Sequence, residues 1–352
     1  MKHLQTLKLQ DIKMLRKQSD ILIYDRNTGS LKFRFDIVTS VEIVTSRTTY
    51  TDTATLTFPN RLRRKEEQIN NINIGDKVVI NLGYFPNLIE EFTGYISFLD
   101  KNSPLVLKLE DESFQLKRKS LTETTLRKTT IKEVIETFYD GETNILDAEI
   151  GDWRVAENST MINILDEMKS KFGILSNFKK GVLNVNTELI DNDETKEIIV
   201  NVQQNVVQDS DDLNFQEDTD IGIISHGVSI QKNGTKVEVF ATYQDNLPEN
   251  EIVISELKPI GVLNTFKAPD LSLEAITRLV VQRLPKLFYS GVTGKITTFG
   301  APSFIHGDIA HLIDERTPER NGKYKVDAVT KNFDTSVGYK QTIELGLKVG
   351  SL

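Results

Sequence analysis

The residues able to do chemistry are few and poorly placed for it. The chain of 352 residues has no cysteine and four histidines, His3, His226, His306 and His311. Without thiols there can be no disulfide scaffold, no thiolate metal site and no cysteine nucleophile. A zinc site needs clustered ligands at fixed spacings. Only His306 and His311 lie near each other, and they flank a Gly-Asp pair entering a strand, where a five-residue separation sends side chains to opposite faces. Ordinary strand and loop histidines are the expectation. Asp209-Ser210-Asp211-Asp212 lacks the glycine and terminal glutamate of a calcium loop and reads as a solvated acidic loop. There is no Gly-x-Ser-x-Gly elbow, no Walker loop and no Gly-x-Gly-x-x-Gly. Paired carboxylates discriminate nothing among 51 acidic residues. The expectation is a protein that is not an enzyme, with no cofactor and no metal.

Charge narrows the partners. Of the formal net charge of -8, the segment from Glu188 to Asp220 carries eleven carboxylates against Lys196 alone, leaving the rest of the chain near +2. Such a near-neutral body lacks the broad basic face that phosphate-backbone binding needs, so no sequence-specific nucleic-acid binding is expected. Two basic clusters, Arg61-Leu62-Arg63-Arg64-Lys65 and Lys117-Arg118-Lys119, are not interleaved with aromatics as a single-strand surface would be. They read as solvated faces or as docking contacts to an acidic partner such as the 188–220 segment of a neighbouring subunit. No 18-residue apolar run and no signal-like leader occurs, so no membrane span and cytoplasmic synthesis are expected.

The positioning elements are mostly strands. Thr53–Phe58 alternates strictly; Gly75-Asp76 opens a strand with Val78, Ile80, Leu82 and Tyr84 on one face; 90–99 and 105–110 continue the pattern around a turn at Asp100–Pro104. A helical stretch is expected near Arg61–Gln68. Thr130-Ile131-Lys132-Glu133 fits a capping box, and Met161, Ile164, Leu165, Met168 and Phe172 recur at helical spacing before Gly173. Asn233-Gly234 marks a hairpin, and a helix is expected from Asp270 or Ser272 until Pro285 kinks or ends it. The fold class is α+β, mainly β, and short strands with turn signals between them indicate a barrel or sandwich in the β-rich parts, 1–111 and 206–352 with one helix, which flank a small α/β module at 112–205. The acidic stretch reads as a solvated connector. Gly75-Asp76 followed by Gly94-Tyr95-Ile96 is echoed by Gly307-Asp308 followed by Gly322-Lys323-Tyr324, as a duplication would leave. Gly75, Gly307 and Gly322 fit turn positions, with Asp76 and Asp308 bonding nearby amides.

The order of short motifs carries a resemblance. Tyr289-Ser290-Gly291, Gly294-Lys295-Ile296-Thr297, Gly300, Pro302, Gly307-Asp308, Asp314, Asn321-Gly322-Lys323-Tyr324-Lys325-Val326 and Tyr339–Gly346 resemble the baseplate hub proteins of contractile-tailed phages. So do Phe92-Thr93-Gly94-Tyr95-Ile96 and the Pro104–Lys117 segment. The nearest group is the Mu-like tail hub, with late control protein D and the hub portion of type VI secretion spikes as relatives. The resemblance implies that Gly75, Asp76, Gly94, Gly291, Gly294, Gly307, Asp308, Gly322 and Gly346 form the turn framework of two barrels similar to the tail tube protein. It implies a homotrimeric ring adapting a sixfold tube to a threefold spike around a channel for DNA. Its partners would be the tail tube protein, the central spike protein and other baseplate proteins, in a virion made in the bacterial cytoplasm. With the chain stopping at Leu352, the spike is expected to be a separate protein and no lysozyme domain is expected. The alternatives are the hub of a prophage-derived tailocin or other contractile injection system, or a wall-binding tail protein acting through the middle module.

Overall fold

The structure, a computed structural model, describes residues 16–59, 71–102, 104–179, 181–187, 196–208, 213–216, 222–247, 250–288, 291–336 and 338–350. The helix expected near Arg61–Gln68, the first basic cluster and most of the named acidic residues lie outside them.

Period-two alternation makes the first unit. Its strands are β1 (Lys17–Tyr24), β2 (Leu31–Phe35), β3 (Ser40–Ser46), β4 (Thr53–Phe58), β5 (Lys77–Tyr84), β6 (Asn87–Asp100) and β7 (Leu105–Glu110). They lie in the order β3-β4-β7-β6-β5-β1-β2, all pairs antiparallel. One side chain in two turns inward, so Ile21, Ile23, Leu56, Phe58, Ile80 and Leu82 are fully buried on one face. The sheet curls strongly, because Phe35 on the far edge strand packs 5.0 Å from Phe58 on β4. Among the described residues its two edges do not pair with each other, so strand pairing there does not close the curl into a barrel.

The middle module contains α1 (Ser113–Leu116), β8 (Thr124–Thr130), α2 (Ile131–Phe138), β9 (Thr143–Ile145), β10 (Glu149–Val155), α3 (Met161–Phe172), β11 (Ile174–Lys179) and β12 (Val182–Thr187). Thr130 caps α2, accepting from the Glu133 N–H at 3.2 Å, but the Glu133 carboxylate takes the Thr129 hydroxyl at 2.7 Å, so the Thr130–Glu133 box is only half formed. The reciprocal box forms on α3 between Thr160 and Asn163, and Gly173 ends that helix in the left-handed region at φ +68°. Ile164, Leu165, Met168 and Phe172 build a core of the module's own with Trp153.

The described parts of the acidic stretch are not a solvated connector. They form β13 (Glu197–Asn201), α4 (Val202–Asn205), β14 (Val206–Gln208) and β15 (Asn214–Gln216), and these strands join the main sheet. Backbone groups here are paired despite the surrounding charge. Next comes a four-stranded sheet of β16 (Ile223–Ile230), β17 (Lys236–Tyr243), β18 (Ile252–Ser255) and β19 (Val262–Pro269), ordered β18-β17-β16-β19. Its hairpin turns at Asn233-Gly234. Helix α5 (Leu273–Leu287), capped by Ser272, packs Ile276, Val280 and Leu284 against this sheet and ends two residues past Pro285. Residues 223–288 thus have a sheet and a core of their own. Finally β20 (Gly291–Phe299), β21 (Ile309–Ile313), β22 (Gly322–Asp334) and β23 (Gly338–Gly350) complete a second unit around Tyr324, Val326, Ile343 and Leu345. The fold is α+β and mainly β, and among the described residues one fourteen-stranded sheet runs through both units.

Candidate assembly junction

The two units share one plan. In the first, consecutive strands β3, β4, β5, β6 and β7 lie in the order β3-β4-β7-β6-β5; in the second, β14 with β15, then β20, β21, β22 and β23, lie in the order β14/β15-β20-β23-β22-β21. The 223–288 sheet is inserted between the first and second strands of the second unit.

The Gly-Asp turns repeat bond for bond. At Gly75 (φ +89°) the N–H donates to the Ile96 carbonyl at 2.8 Å, and the Ile96 N–H returns to the Asp76 carbonyl at 3.0 Å. The Asp76 N–H donates to Asn73 O at 3.1 Å, while the Asn73 N–H donates to Asp76 Oδ2 at 2.9 Å. At Gly307 (φ +86°) the N–H donates to Val326 O at 2.8 Å, and the Val326 N–H to Asp308 O at 2.8 Å. The Asp308 N–H donates to Ile305 O at 3.2 Å, and the Ile305 N–H to Asp308 Oδ2 at 3.0 Å. A left-handed glycine reverses the chain, and the buried carboxylate accepts an amide that the turn would leave unpaired. A β-bulge follows each turn's partner residue, between Ile96 and Phe98 and between Val326 and Ala328.

This register corrects the glycine echo. Ile96 matches Val326, so Gly94 opposite Val78 matches Tyr324 opposite Ala310, and Gly322, opposite Leu312, matches Phe92. Gly94 is needed for a different reason: a Cβ there would lie 2.2 Å from the Glu110 carbonyl on β7. Gly291 starts β20 opposite Gln216, and Gly294 pairs with Leu345. Gly346 makes room for the Asp327 carboxylate, which would sit 2.4 Å from an added Cβ.

Asp327 leads to the junction itself. Beyond the bulge, β22 pairs with β3 of the first unit from Ala328↔Ser46 to Asp334↔Ser40. Asp327 Oδ1 accepts from Arg47 Nη2 at 2.9 Å across this seam. Beneath it lies a buried network: Lys331, 1% exposed, donates to Glu91 and, at 2.7 Å, to Ser303; Ser303 donates to Glu91 at 2.8 Å; Tyr339 donates to Glu91 at 2.6 Å. Burial, then the Glu91 charge and this hydrogen bond, push the Tyr339 hydroxyl well above its ordinary range. Phe333 and Tyr339 insert into the first unit's core, and Tyr84 donates to the Tyr339 carbonyl at 2.9 Å. A second tie joins His306 Nε2 to Asp52 at 3.4 Å, with Asp111 accepting from the Asp52 N–H at 3.2 Å. Burial, reinforced by Asp52, pushes Asp111 up to about 7. His311 contacts Glu197 instead at 3.0 Å. Of the second basic cluster, Lys117 pairs with Glu110 at 2.7 Å and Arg118 lies over Phe114 at 4.8 Å. Arg118 and Phe114 line a cleft of about 760 Å³ beside Gly75, together with Arg26, Lys77 and Tyr95.

No family model and no curated protein matches the sequence. Solved structures do. The chain is similar to a tail protein from Neisseria meningitidis MC58 (TM-score 0.56, 12% identity, 96% of this chain and 98% of that one). It is similar to the 43 kDa tail protein of prophage MuSo2 from Shewanella oneidensis (TM-score 0.53, 13% identity, 94% and 97%). It also matches a chain of the Francisella PdpA-VgrG complex (TM-score 0.52, 11% identity), covering 96% of itself and 59% of that chain. The chain therefore shares its fold with these phage tail proteins and with that chain of the PdpA-VgrG complex.

Proposed function

We propose that this chain is a structural, non-enzymatic hub of a contractile phage tail baseplate. Three copies form a ring that adapts a sixfold tail tube to a threefold central spike, with a central channel for DNA. The observation that carries this reading is the doubled five-strand unit: two similar units per chain give six around a threefold axis, which is the geometry such an adaptor needs. In domain terms, 1–111 and 206–352 are the two tube-like parts, the latter carrying the 223–288 sheet as an excursion, and 112–205 is the stretch between them, an α/β module whose last strand, β13 (Glu197–Asn201), pairs into the second part. The likeness of fold to tail proteins supports the setting in a virion. The near-neutral charge outside 188–220 suits a channel through which DNA slides without retention. The cations and stacked rings of the cleft at Arg26, Lys77, Tyr95, Phe114 and Arg118 suit an acidic segment of a neighbouring subunit.

Multi-angle light scattering of the purified protein over a concentration series tests the assembly. A trimer mass is expected; a monomer at the highest concentration contradicts the reading.

A further inference from the structure

The edge by which the second unit joins the first recurs on the first unit. Strand β5 pairs with β6 only up to Tyr95, so among the described residues the edge beyond the first bulge, Phe98–Asp100, pairs with β7 alone. Its counterpart past the second bulge is Ala328–Thr330, which pairs with Ser46, Thr45 and Val44 of β3.

The receiving edge recurs as well. Ala54 pairs with Leu109 and Gly294 with Leu345, and these leucines lie opposite the matched residues Ile96 and Val326. Thr53 therefore matches Thr293. Val44 pairs with Thr53 and Asn214 with Thr293, so Asn214 and Phe215 of β15 stand where Val44 and Thr45 stand on β3. Among the described residues β15 pairs with β20 alone.

Exposure agrees with this mapping. In the junction within the chain, Val329 lies opposite Thr45, and they are 1% and 7% exposed. Their counterparts are Leu99 and Phe215; Phe215 is apolar yet 47% exposed in the single chain, Leu99 is half-buried at the margin of the first unit's core, and Phe98, the counterpart of Ala328, is 49% exposed.

We infer that the Phe98–Asp100 edge of one protomer pairs antiparallel with the Asn214–Phe215 edge of a second copy, repeating between chains the junction that β22 and β3 make within one. The inference rests on the ring reading and names its contact. One donor edge and one acceptor edge per chain make a head-to-tail interface that closes as a ring and covers two open sheet edges. The contact between chains is shorter than the one within: β6 runs three residues past its bulge, Phe98–Asp100, against Ala328–Asp334 on β22.

Because the chain has no cysteine, every introduced cross-link can be assigned. Directly opposed antiparallel residues lie about 4.5–5.5 Å apart at Cα, within disulfide reach of roughly 4.4–6.8 Å. Oxidising a mixture of L99C and F215C proteins is expected to give a disulfide-linked dimer, and the L99C/F215C double variant a cross-linked trimer. F85C, on the exposed β5–β6 turn, mixed with F215C is expected to give no cross-link. F215D, checked for native circular dichroism, is expected to weaken the trimer at least tenfold. Trimers by light scattering that fail to cross-link overturn the edge pairing and leave the hub reading standing; monomers that fail to cross-link overturn both. Equal cross-linking by the F85C control, or a folded F215D protein of unchanged affinity, also overturns the edge pairing.

Discussion

The two five-strand units keep the same turn, the same bulge and the same strand order, yet differ where they meet. Each Gly-Asp turn makes the same four bonds, while the hairpin after the bulge is four residues longer per strand in the second unit, Ala328–Asp334 against Phe98–Asp100. That extension carries Lys331, Phe333 and Tyr339 into the first unit's core. What recurs is the backbone pattern that defines the unit. What differs is the hardware that fastens one unit to the next.

The largest expected effect breaks that fastening. Lys331 and Lys101 occupy matched positions, one buried and one exposed in a turn. Lys331→Ala leaves Glu91 charged and buried without its cation, and a loss of about 3–5 kcal/mol is expected by urea denaturation. Lys101→Ala is expected to change stability by less than about 0.5 kcal/mol. Equal losses at the two sites would erase the distinction between units.

The turns come next. Asp76 accepts from the Arg26 N–H at 3.1 Å and Lys32 at 3.0 Å besides Asn73, whereas Asp308 holds Ile305. Asp76→Ala is expected to cost about 3 kcal/mol and Asp308→Ala about 1 kcal/mol, since more donors are orphaned in the first turn. Thermal melts of both variants rank them.

Titration distinguishes the units further. Asp111 is raised to about 7 by burial and Asp52, and its match in the second unit is the non-titrating Leu347. A folded-state value above the unfolded one means stability that is full at low pH and is lost as pH rises through 7. About 2 kcal/mol is expected to disappear between pH 5 and pH 8, and Asp111→Asn is expected to flatten that part of the profile. A wild-type curve identical to that of the variant contradicts the assignment.

The smallest effect is shared. Gly307→Ala meets nothing within 4 Å and Gly75→Ala only ordinary contacts, so left-handed strain alone is felt. Each is expected to cost about 1–2 kcal/mol, equal within error by denaturant midpoint.

Much of this architecture was legible in the sequence for local reasons. Alternation located β4, β5 and β7, and Gly-Asp located both turns, because each signal is set by neighbours in the chain. The junction was not legible. Tyr324 and Val326 alternate inward, but the bulge at Asp327 shifts the phase, so that Val329, Lys331 and Phe333 face inward instead. Reading Val329-x-Lys331-x-Phe333 as an inward face required the bulge, and the bulge is a tertiary feature. The same blindness misplaced the Gly94 and Gly322 echo by two residues. Glu91 was missed because a single carboxylate in a strand gives no sign of a partner 240 residues away. The strands hidden in the acidic stretch were masked by charge, which says where water is welcome and nothing about backbone pairing.

Electron microscopy of the purified protein tests the central claim most directly. Class averages are expected to show a threefold ring with an open central channel and six similar β-units around it. Monomeric particles, or a closed assembly without a channel, would contradict it.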